Sequence, residues 1–322
     1  MPSSQLFGPV ASDLTAINEL IESSLHSRVP LVAEIAAYLV QAGGKRLRPL
    51  LVLLAARSCG DSSQHPVKLA VAIEFLHTAM LLHDDVVDES TLRRGRRTAN
   101  AEWGNAASVL VGDFLHSRAF ELMVELGNID VMALISKATN GIAEGEVQQL
   151  TLLQNTSTSE ADYLEVIYRK TALLFEVSAE SGAVLGGASA SEAAAYREYG
   201  RHLGLAFQLM DDWLDYEGSA QDLGKNTGDD LAEGKVTLPI ILALKAAGAS
   251  DRRILEQAIT QPGSVAFEDV RCIAERYGGI ETTKRRAAAE ASLAESALQG
   301  LPDSACKSQM IRLSQFAVER SN

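Results

Sequence analysis

An all-α protein is what this sequence predicts, on three observations. Prolines stand at positions 2, 9, 30, 49, 66, 239, 262 and 302, so none lies between Pro66 and Pro239. Interior proline costs a helix about 3 kcal/mol, and a long Pro-free stretch rich in Ala, Leu and Glu suits long helices. Apolar residues there recur at helical spacing, while period-two alternation of Val, Ile or Thr is hard to find, so no sheet is expected.

Taken in order, helical blocks are expected over about residues 64–89, 104–126, 129–154 and 190–216, with glycines mostly between them. Between the last two lies "STSEADYLEVIYRKTALLFEVSAESG". Ser159 followed by Asp162 makes an N-terminal cap, and Leu164, Ile167, Leu174 and Phe175 then keep helical spacing. Gly182 is expected to stop that run. Pro262, Gly278–Gly279 and Pro302 divide the last third into shorter helices. No linker or low-complexity tract interrupts residues 1–322, which read as one domain of about ten or more helices.

A chain 47% hydrophobic and 22% charged is that of a folded globular protein. Its net charge of -13 argues against a non-specific nucleic-acid or anionic-membrane binder. Cys59, Cys272 and Cys306 are odd in number and scattered, which fits a reducing compartment and neither a disulfide framework nor a zinc site. "MPSSQLFGPVASDL" lacks the basic and apolar regions of a signal peptide, and no run of 18 or more apolar residues is seen. A cytoplasmic protein without a transmembrane segment is expected.

Chemistry concentrates in two acidic clusters. "LLHDDVVDES" (81–90) and "LMDDWLDYE" (209–217) each place Asp-Asp-x-x-Asp after an apolar run. At about 100° per residue, Asp84 and Asp88 share one helix face, with Asp85 to the side and His77 two turns earlier. Asp211 and Asp215 repeat the arrangement beside Asp212, with Gln208 one turn earlier on the same face. One such cluster could be a solvated helix end. Two matching clusters point instead to a hard cation, and Mg²⁺ fits because it takes one or two carboxylates, water and ligand phosphates. Lys45, Arg46 and Arg48 in "GGKRLRP", and the arginines of "LRRGRR" (92–97), supply cations suited to phosphate. "GDDLAEGKV" is no nucleotide-binding P-loop, having one residue too many and Val236 where Ser or Thr belongs.

Six motifs, "GGKRLRP", "LLHDDVVDESTLRRG", "GEVQQL", "YRKTALLF", "FQLMDDWLDY" and "LGKNTGDDLAEGKVTLP", together resemble the trans-isoprenyl diphosphate synthases, and within them the long-chain, octaprenyl-type group. The resemblance covers about residues 40–240. It implies helices around a central cavity, the isoprenoid synthase fold, and a symmetric homodimer. It also implies head-to-tail condensation of isopentenyl diphosphate onto an allylic diphosphate such as farnesyl diphosphate, with several Mg²⁺ ions at the site.

Residue by residue, the resemblance gives Lys45, Arg48, His77 and Arg94 to isopentenyl diphosphate. It gives Arg93, Lys170, Lys225 and Lys235 to the allylic diphosphate, and places Thr171 and Gln208 beside the allylic carbon. Asp84, Asp88 and Asp211 would ligate metal, with Asp85, Asp212 and Asp215 as supporting carboxylates. His77 by itself would read as an ordinary core histidine. Short-chain members carry an aromatic ring four or five residues before the first aspartate; here stand Met80 and Ala79. A deeper floor is then expected, at Met123 with Ala119 one turn above it, and a product of about C40 or more for a respiratory quinone. Two other readings remain open: a class I terpene cyclase, which would not need "GGKRLRP", and a non-catalytic partner subunit, which would show eroded aspartates. Val109, Val111 and Leu115 are weak candidates for a dimer surface.

Overall fold

The computed structural model describes residues 6–41, 44–93, 95–217 and 227–319. Arg94 and Lys225 lie outside the described residues. Helices account for most of the described residues, and the only strands among them are the two-residue pair Leu92–Arg93 and Arg96–Arg97. The chain forms two compact units: Met1–Lys137 with Leu174–Gly200 and Ala297–Leu313, and Ala138–Leu173 with Arg201–Ser296 and Ser314–Asn322.

The first unit is built on the helix His65–Val87, which packs along Asn105–Glu125 and against Leu47–Ser58 and Ala11–Ser24. Small residues let the first two approach: Ser108 is fully buried and its Oγ donates to the Leu82 carbonyl at 3.0 Å. Leu47–Ser58 is buried from Pro49 to Ala56. Against it lies Leu173–Leu185, where a Cβ on Gly182 would stand 2.5 Å from the Val52 carbonyl oxygen. Gly182 therefore does not stop the helix; it sits inside, where only glycine lets two backbones touch. The run ends at Leu185, before Gly187 with φ +81°. Tyr199 Oη donates to Met310 O at 2.8 Å, tying in the segment near the C-terminus.

His65–Val87 is the one described helix long and apolar enough to cross a membrane by length and composition. Most of its apolar window is buried, as expected of a core helix. On Asn105–Glu125, Val111 and Leu115 are buried, at 2% and 1% exposure. These two cannot form a dimer surface, because the first unit's own core already holds them. Val109, at 37%, is exposed.

The second unit centres on Leu238, Ile240, Leu255, Ile259, Val270 and Ala287. Helix Glu160–Ile167 begins with the expected cap: Ser159 Oγ accepts from the Asp162 N–H, and Asp162 accepts from the Ser159 N–H. It runs into a π-turn, Tyr168–Ala172, before Leu173–Leu185 resumes. A π-turn carries one residue more per hydrogen-bonded ring and re-aims the side chains on it, here Lys170 and Thr171.

Candidate active site

Each unit carries some of the residues singled out above. In the first, Asp84 and Asp88 are half-exposed at the C-terminal end of His65–Val87, where the Asp88 N–H donates to the Asp84 carbonyl at 2.7 Å. Asp85 is 1% exposed and turned inward. Arg93, on the short hairpin that follows, brings Nε to 2.8 Å and Nη2 to 2.7 Å of Asp85 Oδ1. The dipole at a helix C-terminus is negative, so three carboxylates here need positive charge from somewhere. Arg93 supplies it to Asp85.

One and two turns back toward the N-terminus sit Met80, half-buried, and His77, also half-buried. Arg48 Nη1 stands 3.1 Å from His77 Nε2, and its guanidinium lies 4.4 Å over the Phe175 ring. A guanidinium can only donate, so His77 Nε2 accepts and the neutral ring keeps its proton on Nδ1. Lys45 is exposed in the stretch leading into Leu47–Ser58. Arg46, with φ 47°, starts that helix and donates to Asn18. Arg46, His77, Asp85 and Arg93 are among the residues lining a cleft of about 50 Å³. Ala79, Ala119 and Met123 are buried at 2%, 0% and 1% exposure on the two packed helices.

In the second unit Asp211 is half-exposed, while Asp212 and Asp215 are buried near the end of Ala190–Glu217. The Asp215 carbonyl accepts from the Gly228 N–H at 3.0 Å. Asp212 has neutral donors: Tyr163 Oη at 2.6 Å to Oδ2 and Gln208 Nε2 at 2.7 Å to Oδ1. Burial pushes its pKa up to about 7, with Asp230 adding to the rise and the two donors opposing it. Thr171 Oγ1 donates to Gln208 Oε1 at 2.8 Å. Lys170 Nζ lies 2.6 Å from Glu146 Oε2, and Lys235 Nζ 2.6 Å from Glu233 Oε2. Tyr163, Lys170, Thr171, Gln208, Asp212 and Lys235 all line one cavity of about 110 Å³.

These carboxylates suit an open cation site. Among the described residues no group of three or more His, Cys, Asp or Glu converges into a closed cage. Mg²⁺ does not ask for one, since ligand phosphate and water complete its shell. A buried carboxylate pushed up toward neutral pH, like Asp212, is one that a nearby cation would favour.

The motifs did not single out Tyr163, Glu146 or Asp230. Glu146 lies in "GEVQQL", so its motif marked the place. Tyr163, 49 positions from Asp212, had no local signal.

Residues 29–275 match the polyprenyl synthetase family. The octaprenyl diphosphate synthase of Haemophilus influenzae is 47% identical over 310 residues, which is 96% of this chain and 94% of that protein. An all-trans-nonaprenyl-diphosphate synthase (geranyl-diphosphate specific) of Rhodobacter capsulatus is 44% identical, over 98% of this chain and 97% of that one. The solved polyprenyl synthase of Caulobacter crescentus CB15, complexed with calcium and isoprenyl diphosphate, has a TM-score of 0.96 at 44% identity, covering 100% of this chain and 98% of its own. Fold and relatives define the class, an all-α synthase of the isoprenoid synthase fold. The chain belongs to the polyprenyl synthetase family. It is a prenyltransferase, of the long-chain trans-polyprenyl diphosphate synthases, which decides between the readings left open by the motifs.

Proposed function

We propose that the enzyme adds isopentenyl diphosphate units to an allylic primer, farnesyl diphosphate for choice, with Mg²⁺ as the metal. One observation carries the reading: in each acidic cluster a half-exposed leading aspartate, Asp84 or Asp211, precedes a buried one that its own donors hold in place. Mg²⁺ would supply the charge that lets diphosphate leave. Asp84, Asp88 and Asp211 would hold it, with Asp85, Asp212 and Asp215 behind them.

Lys45, Arg48 and His77, joined by Arg94, bind the diphosphate of isopentenyl diphosphate. The Arg48–His77 pairing supports this by setting two of these side chains 3.1 Å apart. Arg93, Lys170, Lys225 and Lys235 bind the allylic diphosphate. Lys170 and Lys235 each have an acidic partner at 2.6 Å and line the cavity. Thr171 and Gln208 lie beside the allylic carbon. The released diphosphate takes the proton, so no side chain need act as base.

Ala79 and Met80 leave the growing chain room, and Ala119 and Met123 form a deeper floor, giving a product of about C40 or more for a respiratory quinone. The protein works in the cytoplasm as a homodimer; Leu110 and Val124, both 66% exposed on one helix, are apolar surface in search of cover. Light scattering that gives the 34.5 kDa monomer would refute the dimer.

The deciding experiment is a Mg²⁺-dependent assay with isopentenyl diphosphate and farnesyl diphosphate, products read by mass. Elongation past about C40 is expected, and its absence would sink the proposal. In the same assay Ala79→Tyr should release about C15 to C20 and Met123→Ala a longer chain. If both fold and give the wild-type product, these residues are ordinary core.

A further inference from the structure

Arg93 is not the only cation on the hairpin 92–97, whose ladder pairs Leu92 with Arg97 and Arg93 with Arg96. Residues directly opposite in an antiparallel pair send their side chains to one face, and like charges there repel. The three described arginines of the hairpin meet that cost differently. Arg93 gives Nε and Nη2 to Asp85 Oδ1. Arg97 turns onto the helix Ala99–Trp103, where Nη2 donates to the Ala101 carbonyl at 2.7 Å and Nε lies 3.3 Å from Glu102 Oε2. Arg96 has no acidic partner among the described residues; its guanidinium lies over the Tyr38 ring, 5.6 Å from the ring centre. That attraction is electrostatic and uses no hydrogen bond, so the N–H donors of Arg96 remain to be given. Tyr38, on the helix Pro30–Gln41, is itself fixed on two sides. Its Oη donates to the Arg97 carbonyl at 2.8 Å, and its ring meets Trp103 edge to face with centroids 5.0 Å apart. A carbonyl only accepts, so the direction of that hydrogen bond depends on no charge state.

We propose that Arg96 is a further binding residue for the diphosphate of isopentenyl diphosphate, and that Tyr38 is the positioning residue that holds it ready. Both line the cleft that also takes Arg46, His77 and Arg93. The choice of substrate rests on the placing of His77 at isopentenyl diphosphate made above. Of the cleft's arginines, Arg93 and Arg97 are engaged with carboxylates and Arg46 donates to Asn18. Arg96 brings charge that no acid answers, and donors with a geometry suited to phosphate oxygens. A long side chain already held against a ring has less freedom to lose when the anion arrives.

The test is a double-mutant cycle on elongating enzyme, with kcat and both KM values measured. Arg96→Gln should raise KM for isopentenyl diphosphate about tenfold, with kcat and the primer KM changed less than about threefold. Calorimetric titration with isopentenyl diphosphate alone should show the same loss in Kd. Tyr38→Leu removes the ring and should raise that KM about threefold to fivefold, the worth of an exposed cation–π contact. Tyr38→Phe keeps the ring and should stay within about twofold of wild type. The decisive reading is the double variant. With the guanidinium gone there is nothing left to hold, so Tyr38→Leu should change KM of Arg96→Gln by less than about 1.5-fold. A Tyr38 that merely supports packing would act equally in both backgrounds, and that result overturns its positioning role. Arg96→Gln with a wild-type KM for isopentenyl diphosphate, or with a rise confined to the primer, overturns the binding role. Arg96 is exposed, so its variant is expected to fold; should Tyr38→Leu fail to fold, Tyr38→Met replaces it in the cycle. If Lys45→Ala and Arg48→Ala also leave KM for isopentenyl diphosphate unchanged, the site itself is misplaced. If they raise it and Arg96→Gln does not, only the role of Arg96 falls.

Discussion

Asp85 and Asp212 occupy the same place in two matching clusters, and both are buried, at 1% and 2% exposure. Arg93 holds Asp85 with a full positive charge at 2.7 Å. Asp212 is held by a phenol and an amide, which carry none. The third aspartates differ too: Asp88 is half-exposed past the helix end, and Asp215 is fully buried within its helix. The first cluster thus brings a counter-charge to its buried aspartate, while burial drives Asp212 toward neutral pH. A repeated motif need not mean a repeated electrostatic state. Asp212 should therefore respond more strongly to an added cation than Asp85, which Arg93 already holds.

The largest effect should come from the leading aspartates. Asp84→Ala and Asp211→Ala should each lower kcat by about 10³-fold or more, since each removes a ligand that acts on charge developing in the transition state. Circular dichroism should stay unchanged, because both side chains are half-exposed and pack little. Wild-type turnover by either variant at saturating Mg²⁺ would take that aspartate out of the metal site.

A middle-sized effect should separate the basic residues of the two units. Lys45→Ala and Arg48→Ala should raise KM for isopentenyl diphosphate about tenfold to a hundredfold, and KM for the allylic primer far less. Lys170→Ala should do the reverse. Equal effects of all three on both substrates would contradict the division into two diphosphate sites.

Much of this arrangement was legible in the sequence. Absent prolines and a Ser159–Asp162 cap gave the helices, because backbone rules act locally. Helical geometry also put Asp85 off the face of its neighbours. It could not say that the off face is the buried one, since burial depends on what packs there. Gly182 misled for the same reason: its contact is the Val52 backbone, 130 residues earlier in the chain, and a lone glycine reads equally well as a stop. Val111 and Leu115 are core, which their apolar spacing does not reveal, because it does not say whether a helix partner is another chain or the same one. Tyr163 was invisible, because a hydrogen bond across 49 positions leaves no local pattern.

The smallest effect bears most directly on the comparison and needs no substrate. In protein freed of divalent metal by a chelator, the Asp212 pKa stands at about 7 against an ordinary 3.8. Between those values the folded protein keeps a proton that the unfolded chain has lost. Stability from this group is therefore full below the ordinary value and is lost as pH rises toward the folded one. The melting midpoint should fall by about a few degrees between about pH 4 and pH 7, and level off above that. Asp212→Asn has no proton to lose, so this part of the fall should vanish. Asp85→Asn should retain it, because Asp212 is untouched there. Adding Mg²⁺ at pH 8 should raise the wild-type and Asp85→Asn midpoints and move Asp212→Asn much less. If Asp212→Asn keeps the wild-type slope with pH, some neighbouring cation already neutralises the second cluster as Arg93 does the first, and the difference drawn between them is lost.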